Sequence, residues 1–215
     1  MKFKITLKIN RKFGDLLPFN YQYEQSAVIY RILAQADTQY SSWLHENGYL
    51  LHERKRFKLF CYSPFIFEKV KPLPEAGCLN IIGEKVVWYI SFIPEKSTFE
   101  FIQGIFAHQS FTIGNKEHRV AFDVIGVEAM SMPQLTEQMA FQAMSPICVK
   151  LHEENKTQYL SPDNPMFADG ILKGLKARYE SIHGQPFDMN DKEFSFELTD
   201  NKVKSKLITI KANTP

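Results

Sequence analysis

The first ten residues of the chain alternate between polar and apolar side chains. Phe3, Ile5, Leu7 and Ile9 occupy every second position, and lysines and a threonine separate them. Because successive side chains of a strand point to opposite faces, this alternation predicts a half-buried β-strand over residues 2–10.

Two helices are predicted next. Residues 24–36 have the composition and apolar spacing of a helix. Asp37 is a suitable N-cap for a second, shorter helix, and Gly48 is placed to end it. The apolar face of this short helix would consist of Tyr40, Trp43 and Leu44.

Three β-segments follow in the first half of the chain. Residues 57–63 predict a strand, and residues 78–92 predict a hairpin that turns near residues 83–84. Residues 110–130 predict another pair of strands with a turn at residues 114–115.

A helix is predicted between the last two of these segments. Ser97 and Glu100 have the spacing of a capping box, and the helix would run to about His108. The first 130 or so residues therefore fit a ferredoxin-like β-α-β-β-α-β module with extra strands.

The second half contains one longer predicted helix. Asp163 or Asn164 would cap it, Pro165 would occupy its first position and Gly184 would end it. Its apolar face would consist of Phe167, Ile171, Leu172, Leu175, Tyr179 and Ile182.

Strands surround this helix in the predicted order. Residues 145–151 predict one strand, and the last twenty or so residues predict a hairpin that turns at residues 200–201. The order is β-α-β-β, so a second module would lack its final helix and strand. We expect an α+β protein with two tandem ferredoxin-like (RRM-like) modules, residues 1–132 and 133–215, the second incomplete.

Composition places few limits on function. The chain has 215 residues, 44% of them apolar, and a formal net charge of +2, which neither requires nor excludes a polyanionic partner. Three cysteines without C-x-x-C spacing predict reduced thiols in a cytoplasmic protein. The N-terminus lacks the apolar segment of a signal peptide, and no apolar run is long enough to span a membrane.

His45 lies near the end of the second predicted helix. A solvent-facing histidine that stabilises the helix end is the simpler interpretation, and a functional histidine is the alternative. His52 follows seven residues later, but Gly48 interrupts the helix between them, so a metal pair is not predicted. No H-E-x-x-H, P-loop or paired-acid pattern occurs, and no metal or cofactor is expected.

The densest positive charge in the chain lies at residues 54–58. Arg54, Lys55, Arg56 and Lys58 form either a solvated turn or an edge that contacts phosphates. Lys58 differs from the others because it begins a predicted strand.

Other lysines and one tyrosine are further candidates. Tyr30 lies among apolar residues of a helix, where a tyrosine is more often part of the core. In the last hairpin, lysines of equal parity share one face of a strand, which faces either solvent or a nucleic-acid backbone. These lysines are Lys202, Lys204 and Lys206.

Several strings together resemble one family. "LPFNYQYEQSAVIYRIL", "WLHENGY", "FKLFCYSPF" and "AMSPICVKL" resemble, in order and spacing, the CRISPR-associated endoribonuclease of the RAMP superfamily that cuts repeat RNA into guide RNAs. The combination of N-x-Q-Y, I-Y, L-H-E, K-L-F-x-Y-S and S-P-I is far more specific than any one element, and it extends over nearly the whole chain. The family ends in a Gly-rich signature that has no counterpart after Gly184.

The resemblance implies metal-independent RNA cleavage. The site would consist of Tyr30, His45 and Lys58, with Arg54, Lys55, Arg56 and the last-hairpin lysines binding RNA. The 2′-OH of the RNA would attack the phosphate, leaving a 5′-OH and a 2′,3′-cyclic phosphate. In this reaction histidine would shuttle protons, lysine would offset negative charge, and tyrosine, a poor base, would orient the 2′-OH.

Two other functions are alternatives. One is a non-cleaving RAMP module that holds repeat or guide RNA, and the other is a ferredoxin-like interaction domain unconnected to RNA. CRISPR repeat RNA is the partner that the resemblance implies. Other CRISPR effector subunits are further candidates, and an unpaired edge strand makes a second copy of the chain another.

Overall fold

A computed structural model of the chain describes residues 1–51, 55–153, 156–188, 190 and 193–199. The chain separates into two compact units. Among the described residues, the first contains residues 1–47 and 59–134, and the second contains those within 48–58 and 135–199.

The elements have the following bounds. The first part of the chain forms β1 (Lys2–Asn10), β2 (Leu16–Pro18), α1 (Gln22–Ala36), α2 (Thr38–Glu46), β3 (Tyr49–Leu51), β4 (Lys55–Phe57), β5 (Phe60–Tyr62) and β6 (Ile66–Phe67). It continues with β7 (Val70–Leu73), β8 (Cys78–Ile81), β9 (Lys85–Phe92), α3 (Glu95–Ala107), β10 (Ser110–Gly114) and β11 (Arg119–Met130). The remainder forms β12 (Val149–Glu153), β13 (Lys156–Leu160) and α4 (Met166–His183).

The main sheet of the first unit has the strand order β10-β11-β1-β9-β5. All of its pairs are antiparallel, and β1 lies between β9 and β11. The alternating residues of β1 are at most 3% exposed, which confirms the first predicted strand. This order, with two helices in the connections, is the ferredoxin-like arrangement, and the predicted α+β class with tandem modules is confirmed.

Helices α1 and α3 pack against each other over this sheet. Phe101 of α3 contacts Phe92 of β9, with ring centroids 4.9 Å apart. Gly104 of α3 faces α1 so closely that a Cβ atom there would lie 1.8 Å from the carbonyl oxygen of Ile32. The absence of a side chain at this position therefore sets the separation of the two helices.

The predicted short helix is confirmed as α2, and Gly48 follows it with a φ of +67°. Tyr40 and Leu44 are buried as expected. Trp43 is 38% exposed and stacks on Tyr40 instead of entering the core.

The hairpin predicted near residues 83–84 is wrong in its pairing. Both strands exist as β8 and β9, but β9 belongs to the main sheet. β8 instead pairs with β2 and β7 in a separate three-stranded sheet. The apolar pattern identified both strands but not their partners. β9 pairs with the distant β1, and β8 pairs with β2 and β7, which were not predicted.

The strand predicted over residues 57–63 is two strands. β4 pairs with β3, and β5 pairs with β9. Leu59 lies between them with a φ of +56°, a left-handed conformation that is unfavourable for a leucine. The chain passes from the second unit to the first at this residue.

The predicted capping box is also wrong. Helix α3 begins at Glu95, so Ser97 and Glu100 lie inside it, and both are buried. The hydroxyl of Ser97 forms a hydrogen bond with the hydroxyl of Tyr40 instead of capping the backbone. The predicted end of the helix at His108 is confirmed.

The second unit differs from the predicted β-α-β-β order. β12 begins at Val149 rather than residue 145, and it pairs with β13, which the polar sequence there did not indicate. Val149 and Leu160, opposite each other in this hairpin, pack with Phe167 of α4 in a small core. Residues 193–199 contain no strand, and the predicted turn at residues 200–201 lies outside the described residues.

Helix α4 begins one residue later than predicted. Pro165 occupies the N-cap position, and the side-chain oxygen of Asn164 accepts a hydrogen bond from the backbone N–H of Met166. Gly184 ends the helix with a φ of +67°, as expected. On the predicted apolar face Phe167 and Leu172 are buried, but Leu175 is exposed.

Cys61, Cys78 and Cys148 are free thiols. Within the part of the chain that the structure describes, no helix combines the length and apolar character needed to cross a bilayer.

Replacing Gly104 by alanine is expected to lower the free energy of unfolding by more than about 2 kcal/mol, because the new methyl group would force α1 and α3 apart. Urea unfolding followed by circular dichroism measures this change. Gly174→Ala in α4 is the matched control. Its Cβ would meet only the flexible guanidinium end of Arg178, at 3.1 Å, so stability should stay equal or rise by about 0.5–1 kcal/mol. Equal effects of the two substitutions would contradict the close approach at Gly104.

Candidate functional site

The N-terminus of α2 is held by Asp37. The carboxylate accepts a hydrogen bond from the backbone N–H of Tyr40 at 2.8 Å and forms an ion pair with Lys96 at 3.1 Å. The Tyr40 hydrogen bond, followed by the lysine, lowers the pKa of the Asp37 carboxyl. The carboxylate form is thereby favoured at the positive end of the helix.

Two side-chain hydrogen bonds attach α2 to the neighbouring helices. The hydroxyl of Ser41 donates to the backbone carbonyl of Tyr30 in α1 at 2.8 Å. The hydroxyls of Tyr40 and Ser97 join α2 to α3. These bonds fix the orientation of α2, and His45 lies in its last turn.

Tyr30 and His45 are brought together by this docking. Their ring centroids are 4.9 Å apart and the rings are nearly perpendicular, at 86°. The ring of Phe60 in β5 lies edge-on to the ring of Tyr30, with centroids 5.7 Å apart and an interplanar angle of 75°. Tyr30 is half-buried rather than a core residue, and His45 is exposed. A tyrosine hydroxyl and an accessible imidazole therefore lie in the same region of the first unit.

The hydroxyl of Tyr30 resists ionisation. Burial, reinforced by the neighbouring Tyr62, raises the pKa of Tyr30 to about 12. Near neutral pH this hydroxyl therefore keeps its proton. It can donate a hydrogen bond to a substrate oxygen, but it cannot act as a general base.

Phe60 and Tyr62 were not among the predicted site residues. They occupy alternate positions of β5 and their rings stack at 6.4 Å. The hydroxyl of Tyr62 donates to the carbonyl of Gln22 in α1 at 3.1 Å, and burial raises the pKa of Tyr62. In the sequence, the period-two spacing of the aromatics in "FCY" indicates that the two rings lie on the same face of the strand.

Lys58 belongs to the second unit. Its side chain passes over Gly48, where an added Cβ would lie 3.2 Å from Lys58 Cδ, 3.3 Å from Lys58 Nζ and 2.6 Å from the carbonyl oxygen of Phe57. Burial, followed by the charge of Arg56, lowers the pKa of Lys58. Gly48 therefore provides the space in which this lysine is partly removed from solvent.

The predicted site residues thus fall into three groups. Tyr30 and His45 lie in contact in the first unit, whereas Lys58 belongs to the second. Lys55 and Arg56 are exposed residues of β4, also in the second unit. The remaining predicted RNA-binding residues lie outside the described residues, namely Arg54, Lys202, Lys204 and Lys206.

In the ranges that the structure describes, no three His, Cys, Asp or Glu side chains come together in an arrangement that could hold a metal ion. His52, considered with His45 at the sequence level, is not among the described residues.

Family models match both halves of the chain. The model described as CRISPR-associated protein Cas6, N-terminal, matches residues 16–122. The model described as CRISPR associated protein Cas6, C-terminal, matches residues 130–214. Tyr30, His45 and Lys58 all fall within the first match.

Curated relatives carry similar descriptions. A protein of Methanocaldococcus jannaschii described as CRISPR-associated endoribonuclease Cas6 1 is 27% identical over 212 residues, covering 97% of this chain and 76% of that protein. A protein of Pyrococcus horikoshii described as a putative CRISPR-associated endoribonuclease-like protein Cas6nc is 26% identical, covering 87% of this chain and 73% of that protein.

Solved structures share the fold. A RAMP protein described as binding different RNA substrates is 25% identical with a TM-score of 0.68, covering 87% of this chain and 74% of that one. A structure described as CRISPR associated protein Cas6 is 27% identical with a TM-score of 0.62, covering 88% of this chain and 74% of that one.

The Tyr30→Phe variant is expected to lose one ionisation step near pH 12 compared with the wild type, because burial raises the pKa of this hydroxyl. Absorbance at 295 nm, read within seconds of a pH jump and before unfolding, measures the step. The result would contradict the buried environment if the lost step lay near pH 10, the ordinary value for an exposed tyrosine.

Proposed function

The chain belongs to the Cas6 family of CRISPR-associated proteins, and we propose that it is an endoribonuclease that cuts CRISPR repeat RNA to produce guide RNAs. The contact between Tyr30 and His45 is the observation that carries this proposal. It joins a proton-transfer group and a neutral hydrogen-bond donor, as cleavage by an internal nucleophile requires. The relative described as an endoribonuclease in Methanocaldococcus jannaschii supports it.

RNA supplies its own nucleophile in the proposed reaction. The proton of the 2′-OH is removed, O2′ forms a bond to the adjacent phosphorus, and the bond from phosphorus to O5′ breaks. A proton is delivered to O5′, which leaves as a 5′-OH, and the other product ends in a 2′,3′-cyclic phosphate. No metal ion is needed to balance these steps.

His45 is the proposed proton shuttle. An imidazole ordinarily changes its protonation state near neutral pH, so it can accept and donate a proton in one catalytic cycle. Its exposed position at the end of α2 leaves it accessible to an RNA phosphodiester. A well-positioned proton-transfer group is worth roughly 10²–10⁴-fold in rate.

Tyr30 and Lys58 are proposed to assist in different ways. The protonated hydroxyl of Tyr30 would orient the 2′-OH by hydrogen bonding, because its raised pKa excludes it as a base. The ammonium group of Lys58 would offset the negative charge that develops on the phosphate oxygens. Lysine can perform this role without a metal ion.

CRISPR repeat RNA is the proposed partner. Lys55 and Arg56 are exposed cations on β4 and suit contacts with phosphate oxygens. Arg54, Lys202, Lys204 and Lys206 are proposed for the same role from their charge.

A non-cleaving RNA-binding module is the second candidate function. It is favoured by the solved structure of similar fold that is described as a RAMP protein binding different RNA substrates. The two functions differ only in whether bound RNA is cut, so one cleavage experiment separates them.

The His45→Ala variant is expected to cleave repeat RNA about 10²–10⁴-fold more slowly than the wild type, because the proton shuttle is lost. Single-turnover cleavage in EDTA, with protein in excess over RNA, measures the rate. An RNA with 2′-deoxyribose at the cleaved position should remain intact because it lacks the nucleophile.

His183→Ala is the matched control for this experiment. His183 also lies in the last turn of a helix and against a tyrosine ring, with its centroid 4.2 Å from that of Tyr179. Its loss should leave the cleavage rate unchanged. Cleavage of the deoxy-substituted RNA would refute attack by the 2′-OH, and RNA bound but never cut by the wild type would establish the second candidate function.

Replacing Lys58 by methionine is expected to lower the cleavage rate at saturating RNA about 10²-fold, because transition-state charge loses its counterion. Lys58→Arg should restore part of that rate by keeping the charge. The comparison is Lys173→Met, which removes an exposed lysine of α4 in the same unit. If Lys58→Met changed only the RNA concentration needed for saturation, Lys58 would be a binding residue and not a catalytic one.

A further inference from the structure

A groove separate from the Tyr30–His45 contact lies in the first unit. It has a volume of about 510 Å³ and is formed by α1, β10, β11 and the segment that follows β1. Buried apolar residues, among them Val28 and Ile32, form part of its lining. Asn10, Lys12, Phe13, Arg31 and Asp123 supply polar and aromatic groups.

Cations occupy the sides of this groove. The guanidinium of Arg31 donates one hydrogen bond to the carbonyl of Thr112 at 3.0 Å, which fixes its position. A guanidinium has five N–H donors, so others remain for a ligand. Lys12 also lines the groove, and Arg119, which is not part of the lining, adds positive charge next to the ring of Phe13.

Phe13 provides an accessible aromatic surface. It is 39% exposed, the guanidinium carbon of Arg119 lies 4.1 Å from its ring centroid, and Lys12 Nζ lies 5.4 Å away. Aromatic rings surrounded by cations are the arrangement by which proteins stack nucleobases and hold the adjoining phosphates.

Asp123 introduces an acceptor among these cations. Its two oxygens accept hydrogen bonds from the amide of Asn10 at 3.1 Å and the hydroxyl of Ser110 at 2.7 Å. A carboxylate would repel a simple anion, but it can accept from the amino group of a base. The mixture of cations, an aromatic ring and one oriented acceptor therefore fits a nucleotide chain better than it fits an isolated phosphate.

We propose that this groove binds a single-stranded segment of the repeat RNA away from the cleaved bond. A base stacks on Phe13, phosphates contact Lys12, Arg31 and Arg119, and Asp123 accepts from a base edge. Tyr30 and Arg31 are consecutive in α1 and therefore point about 100° apart, which separates the groove from the cleavage residues. The inference rests on the proposed function, because it names a second segment of the same RNA.

Binding measurements on point variants test the groove. Repeat RNA with 2′-deoxyribose at the cleaved position is titrated with wild type, Phe13→Leu and Arg31→Gln, and fluorescence anisotropy is recorded at several salt concentrations. We expect Phe13→Leu to raise Kd about tenfold, since stacking of one base is worth about 1–3 kcal/mol. Arg31→Gln should reduce the slope of log K against log salt by about 0.7, the value for one phosphate contact on a single strand.

Lys116→Gln is the matched control for charge. Lys116 is exposed in the loop between β10 and β11 and does not line the groove, so its loss should leave Kd within about twofold. Thermal unfolding of each variant establishes that it is folded. Because the two groove substitutions act on different groups, one misfolded variant would leave the other as the test.

RNA shortened from either end locates the segment. Removal of the groove nucleotides should weaken wild-type binding more than about tenfold and weaken Phe13→Leu binding by a smaller factor, since that variant has already lost the stacking contact. Unchanged RNA binding by both groove variants would overturn the inference, and so would groove substitutions that weaken binding of a mononucleotide but not of RNA. If the wild type still cleaves repeat RNA in those cases, the proposed function stands. If the wild type neither binds nor cleaves it, both fail.

Discussion

The close approach of α1 and α3 at Gly104 determines where the functional groups of the first unit lie. With no side chain at this position, the backbone of α3 comes within van der Waals distance of the carbonyl group of Ile32. Helix α1 carries Tyr30 on one side and Arg31 on another. A different separation of the helices would therefore shift both the candidate active site and the groove. Packed interiors transmit such displacements because they contain little free volume.

Hydrogen bonds convert this packing into a defined site. Ser41 anchors α2 to the backbone of α1, and the Tyr40–Ser97 pair anchors it to α3. His45 therefore occupies the end of a helix whose start is capped and whose middle is attached at two points. The ring of Tyr30 contacts the rings of His45 and Phe60, and the burial of Tyr30, followed by the neighbouring Tyr62, raises the pKa of its hydroxyl.

Electrostatics distinguish the proposed roles of the candidate site residues. A tyrosine that stays protonated can orient an oxygen, whereas a proton shuttle must change its charge during the reaction. The partly buried Lys58 has a lowered pKa because of burial and of Arg56. Around Phe13 the proposed use of the charges is different, because cations beside an aromatic ring can hold a nucleotide without transferring protons.

Local patterns in the sequence determined much of this protein. The alternation in β1, the Asp37 cap and the glycines after α2 and α4 act within a few residues, so these elements were predictable, and the family motifs singled out Tyr30 and His45. Only the tertiary structure decided that β8 and β9 belong to different sheets, that β13 pairs with β12, and that Ser97 is buried against Tyr40. It also placed Phe60 and Tyr62 beside Tyr30 and assembled the groove from segments about 100 residues apart. Strand pairing and long-range burial depend on partners that are distant along the chain, and the local sequence does not specify those partners.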